Sequence, residues 1–114
     1  MTDRELLERA ARAAGLNYEP MLGGYYTAPE FNEVVSWNPL TDDGDALRLA
    51  IRRRFHVKIF SAWQDGSIDA PGRVEIWRWG DDDPIHTEYV KGSDYEAATR
   101  RAIVMAAAAM GEAK

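Results

Sequence analysis

Residues 74–90 run Val-Glu-Ile-Trp-Arg-Trp-Gly-Asp-Asp-Asp-Pro-Ile-His-Thr-Glu-Tyr-Val, and their reading decides the fold. Val74 and Ile76 alternate against Glu75, Trp77 and Trp79, while Ile85, Thr87 and Tyr89 alternate against His86, Glu88 and Val90. A period of two sends successive side chains to opposite faces of a strand, and Gly80-Asp81-Asp82-Asp83-Pro84 between them has the composition of a turn. Upstream, Phe55, Val57, Ile59 and Ser61 alternate against His56, Lys58 and Phe60. A turn region with Asp65-Gly66 and Pro71-Gly72 separates this segment from Val74. Three such segments predict an antiparallel meander.

Working outward, the period changes to that of a helix on both sides. Before the meander, Leu47, Ala50, Ile51 and Arg54 share one helical face, in a helix that starts within Thr41–Asp45 and runs to about Arg54. Pro39 pushes Asn38 out of helical space, and the acids suit the positive helix N-terminus. After the meander, a long helix opens at Ser93 or Asp94, with Ser93 and Glu96 spaced as a capping box, and runs through Met110 to a stop at Gly111. Its second half is apolar on every side, so it is either sandwiched inside the protein or docked on a partner. At the other end of the chain, Thr2 and Glu5 form another capping box, followed by the stripe Leu6, Leu7, Ala10, Ala13 and Ala14 and a glycine stop at Gly15. Residues 16–40 lose the helical period. Gly23-Gly24 suits a turn, Tyr25-Tyr26-Thr27 has strand propensity, and Phe31 to Trp37 adds an extended piece, while Pro29 argues against a central strand. The expected architecture is α+β, a mainly antiparallel sheet of about four or five strands layered with helices in the order α-β-β-α-β-β-β-α.

With 114 residues the chain suits one domain. There are no cysteines, which removes disulfides and thiolate chemistry. The longest uncharged apolar run, Ala102 to Met110, is far short of the roughly 18 residues of a membrane span. Met1–Glu5 lacks the basic-then-apolar order of a signal peptide, so a cytoplasmic location is expected. A net charge of −5 makes nucleic acid an unfavoured partner.

The run Trp37-Asn38-Pro39-Leu40-Thr41-Asp42-Asp43-Gly44-Asp45-Ala46-Leu47-Arg48-Leu49-Ala50 resembles a stretch of the phage ABA-sandwich domain family. Tyr95 to Val104, entered from Ser93-Asp94, is similar to that family's last helix, and the Leu6-to-Gly15 helix also fits. Residues 17–36 and 55–92 do not match it. The resemblance implies a sheet layered between helices in a small protein encoded by a phage or prophage. It implies no assigned activity, so it carries over no catalytic residue.

The candidate sites each have an ordinary structural reading. Asp42, Asp43 and Asp45 could hold a divalent cation, but they lack the later ligands of an EF-hand loop and suit a helix cap. Trp37 and Asn38 could present an aromatic ring and an amide to a ligand; the favoured reading is a hydrophobic helix entrance fixed by Pro39 and Leu40. Trp77 and Trp79 are exposed anchors if helices cover one side of the sheet and core if they cover both. Arg52 and Arg53, with Arg54 and Lys58 nearby, form the basic run that could meet a phosphate or an acidic protein, or simply answer a helix C-terminus. Val104, Ala108 and Ala109 lie on the apolar helix as the expected self-association contact. His56 and His86 lack zinc-ligand spacing, and no nucleophile elbow, Walker loop or dinucleotide fingerprint occurs. No metal or other cofactor is expected. These readings favour a non-enzymatic factor that binds a host or phage protein and self-associates. The alternatives are an acidic mimic of nucleic acid, built on Asp42, Asp43, Asp45 and Asp81–Asp83, and a nucleotide-binding protein or small enzyme.

Overall fold

A computed structural model describes residues 1–26, 34–61 and 72–111. The described elements follow in the order α1 (Asp3–Ala13), β1 (Asn17–Glu19), β2 (Gly24–Tyr26), β3 (Val34–Ser36), α2 (Asp43–Arg53), β4 (His56–Phe60), β5 (Arg73–Trp77), β6 (His86–Tyr89) and α3 (Tyr95–Gly111). The class is α+β, as expected. The strands number six in two antiparallel sheets, β1-β2-β3 and β4-β5-β6, which exceeds the expected four or five. Strand β3 falls within the extended piece expected over Phe31 to Trp37; it continues the hairpin and pairs Val35 with Tyr25. The turn expected at Asp65–Gly66, the strand-breaking Pro29 and the residues Phe31–Glu33 lie outside the described residues.

Helix α3 lies at the centre. One side packs on the inner face of β4-β5-β6, where Val74 and Ile76 are fully buried, and another on α1. Helix α2 flanks it. The surfaces that meet between α1 and α3 are largely alanine: Ala10, Ala11 and Ala14 on one, Ala102, Ala106 and Ala107 on the other. Small side chains let two helix axes approach closely. Gly111, the last residue of α3, belongs to this packing, because a Cβ there would run into the carbonyl of Arg9. Of the two openings expected for α3, Asp94 serves as the cap in place of the Ser93 capping box. Asp94 Oδ1 accepts the Ala97 N–H at 3.0 Å, in the manner of an N-cap.

The all-round apolar character of α3 follows from this central position. Val104 and Ala108 are 0% and 2% exposed, so they cannot meet a second copy, and the self-association contact expected there is corrected. Ala109 alone of those three residues is exposed. The resemblance implied a sheet between helices. Among the described residues it is instead α3 that lies between α1 and a sheet, and no helix packs on that sheet's outer face.

Candidate functional site

The loop before α2 is built from its own polar groups. Asn38 Oδ1 accepts the Leu40 N–H at 3.0 Å, and the Asn38 carbonyl accepts the N–H groups of Thr41 and Asp42. Asp42 caps the helix through the Asp45 N–H at 2.8 Å. Asp45, only 8% exposed, accepts the Asn38 N–H at 2.9 Å and an Arg48 N–H at 2.7 Å. Asp43 holds Arg100, whose Nε also donates to the Leu40 carbonyl at 2.9 Å. Trp37 is 5% exposed and meets Tyr18 edge-on, with ring centroids 5.5 Å apart. Neither Trp37 nor Asn38 is presented to a ligand, so both are corrected to structural roles. The three aspartates are likewise bound within the loop and its helices. Among the described residues, no group of three or more His, Asp or Glu is placed to hold a metal ion.

Part of the basic run reaches the protein's own backbone. Arg52 and Arg53 donate to the carbonyls of Ala14 and Ala13, each at 3.0 Å. They cap the C-terminus of α1, where unpaired carbonyls and the negative end of the helix dipole favour cations. Arg53 Nε is buried and makes no hydrogen bond. The pair forms a helix-to-helix clamp, with Arg52 still exposed at the surface. The sequence could indicate helix-terminal charge but not that the terminus belongs to another helix.

The outer face of β4-β5-β6 differs from both. Residues opposite one another in an antiparallel pair share a face, so the register puts His56 with Trp77, Lys58 with Glu75 and Thr87, and Phe60 with Arg73 and Tyr89 on the side away from Val74 and Ile76. Glu75 is the hub. Its carboxylate accepts Arg73 Nε at 2.9 Å and Trp77 Nε1 at 3.0 Å. The Lys58 ammonium stands 4.4 Å above the Trp77 ring, and the Arg73 guanidinium 4.2 Å above Phe60. Burial by itself would raise the pKa of Glu75; the hydrogen bonds from Arg73 and Trp77, with the charges of Arg73 and Lys58, outweigh it and hold the carboxyl below its ordinary value. Strand β5 ends at Trp77. Trp79 lies just beyond, 86% exposed, its ring tilted against His56 at 5.7 Å between centroids. Of the residues expected to meet a partner, Trp77 and Trp79 are the ones brought together on an open surface. Lys58, His56 and Tyr89 join them, which residue spacing alone could not show, because strand pairing brings them from other segments.

No family model matches this chain, and no curated protein or solved structure is found similar to it.

Two further features flank the sheet. A groove of about 320 Å³ runs between α2, α3 and β4, floored by Ala50, Val57, Ile59 and Ile103. Its polar members are largely engaged: Asp43 with Arg100, and the Thr99 hydroxyl with the Tyr95 carbonyl at 2.6 Å. On the inner face of β6, His86 and Glu88 lie 2.8 Å apart, and Glu88 reaches Arg101 of α3 at 3.7 Å. Arg101 in turn approaches Asp3 of α1 at 3.9 Å. This chain of charges ties three elements together at the margin of the core, and no nucleophile stands in it. Among the described residues no helix is long and apolar enough to cross a membrane.

Proposed function

We propose that this chain is a binding protein, not an enzyme, and that it recognises its partner with the outer face of β4-β5-β6. One observation carries the reading: Trp79, the most exposed of the large apolar side chains described, stands at the end of a face that no described helix covers. Isolated surface apolar residues are common. Here the tryptophan borders a set of side chains already fixed by Glu75, so a partner would order few rotamers on contact. A large ring in a preformed setting is the usual composition of an energetic hot spot. Among the described residues, a catalytic reading lacks a nucleophile held by a base. Against the acidic-mimic reading, Asp42, Asp45 and Asp43 are bound at the start of α2 and Asp81 is held by Arg78 at 3.0 Å, which leaves only Asp82 and Asp83 of its aspartates exposed without a described partner. Origin in a phage or prophage rests on the resemblance of residues 37–50 and 95–104 and on nothing else.

The test is capture from cell extract by immobilised chain, with and without nuclease treatment, comparing the native sequence with Trp79→Ala. The reading expects a macromolecule held by the first and lost by the second, with circular dichroism unchanged. Identical captures by the two proteins would overturn it.

A further inference from the structure

The net charge of −5 averages over a surface that is far from uniform. The outer face of β4-β5-β6 carries two cations, Lys58 and Arg73, with the His56 ring beside them, against one carboxylate, Glu75. The acids gather elsewhere: Asp3 and Glu5 at the start of α1, Asp42, Asp43 and Asp45 at the start of α2, Asp94 and Glu96 at the start of α3. Helix N-termini attract carboxylates for reasons of their own dipole, so much of the negative count is accounted for by capping. Interleaved with the cations of the sheet are four aromatic side chains, Phe60, Trp77, Trp79 and Tyr89. Of these, Trp79 and Tyr89 are 86% and 60% exposed.

An open sheet with protruding rings and cations between them matches what unpaired bases require, namely planes to stack on and positive charge for the backbone. A duplex is a poorer fit, because its bases already stack on each other and it would offer the face only phosphates. Resting on the reading of this face as the recognition surface, we propose that it binds single-stranded nucleic acid, with Trp79 stacked on a base and Lys58 beside Trp77 meeting the phosphate. The position of Lys58 is already set by the ring beneath it. Asp82 and Asp83, exposed in the turn beyond Trp79, repel a backbone and close the site at that end. The footprint is therefore short, on the scale of the two or three bases that a small sheet stacks.

The test is fluorescence anisotropy of a labelled twelve-nucleotide oligothymidylate titrated with the full chain at low salt. Binding is expected, with the logarithm of the affinity falling against that of salt with a slope of about −1.4 if two phosphates are neutralised. Trp79→Ala should weaken it about tenfold or more. Lys58→Glu, at an exposed position, should also weaken it and serves if the tryptophan variant does not fold. Replacing Asp82 and Asp83 by Lys should tighten it, and a duplex of equal length should bind less well. The proposal is overturned if the oligonucleotide does not bind at low salt, or binds equally to the native sequence and the folded variants. Failure of the oligonucleotide together with a Trp79-dependent, nuclease-resistant protein capture would remove this inference while leaving the recognition face. Failure of both would remove both.

Discussion

Trp37 and Trp79 begin and end two regions of similar composition, aromatic rings beside aspartates and arginines, and the fold uses them in opposite ways. Around Trp37 every charged group is turned onto a backbone or another side chain, and the ring is buried against Tyr18. Around Trp79, Glu75 is paired with Arg73 and Asp81 with Arg78, yet the ring beside them stays in the open. The difference lies in what lies above each region. The Asn38–Asp45 loop sits beneath Arg100 of α3, which reaches both Leu40 and Asp43. The outer sheet face has no described helix over it. The more recognisable region in sequence is therefore the structural one, and the proposed binding surface lies in residues that the resemblance did not reach.

The comparison can be broken from its strongest side first. Trp37→Ala should remove a core ring and cost about 3–5 kcal/mol in chemical denaturation; a loss below about 1 kcal/mol would mean that the entrance loop is not structural. Asp45→Ala should cost about 2 kcal/mol, since it leaves the Asn38 N–H and the Arg48 side chain without their acceptor. Asp42→Ala removes only the cap of α2 and should cost about 1 kcal/mol, read the same way.

On the other side of the comparison the effects shrink. The Glu75 carboxyl is held below its ordinary value of 4.5. Its contribution to stability is therefore complete above about pH 4.5, where the unfolded state has also lost the proton, and is lost as pH falls through the lower folded value. Stability should rise with pH in that window, and Glu75→Gln should flatten this part of the profile measured by denaturation at several pH values. An unchanged acid limb would show that the Arg73–Glu75–Trp77 network is not formed in solution. Smallest of all, Trp79→Ala should change stability by no more than about 0.5 kcal/mol. A larger loss would place that ring in the core and end its role as an anchor.

Much of the scaffold was legible because local chemistry specifies it. Thr2 caps α1 through the Glu5 N–H at 3.2 Å, and Gly15, at φ +72°, lets Leu16 bond back to Ala11 at 2.9 Å, as the spacing of those residues implies. The alternation of Val74 and Ile76 against Glu75 and Trp77 correctly gave β5 its two faces. Less was legible where a residue's partner is distant in sequence. Arg52 and Arg53 read as a basic patch until α1 is brought to them. Gly111 read as a helix stop, and its close approach to Arg9 shows only when α1 is brought to it. In β6 the inward side chains are His86 and Glu88, because the strand lies at the sheet margin beside Arg101, where a polar pair can be satisfied, while Ile85 just before the strand packs against the core.

The end of α2 is set by a balance of the same kind. Arg54 takes the left-handed conformation at φ 56°, which ordinarily falls to glycine, while its N–H bonds back to the carbonyls of Ala50 and Ile51. The side chain is tolerated there because the conformation turns the chain directly into β4.

The sequence by itself determined the class, the positions of the three helices, the caps of α1 and α2 and the alternation within each strand of the second sheet. Those features depend on neighbours within about four residues along a helix or on a period of two along a strand. Tertiary structure alone decided which surfaces are covered: that the apolar half of α3 lies inside, that the arginines close another helix, and that the face holding Trp77 and Trp79 stays open. Periodicity tells which side chains point the same way. Whether anything stands in front of them depends on how the elements pack, and no single segment contains that information.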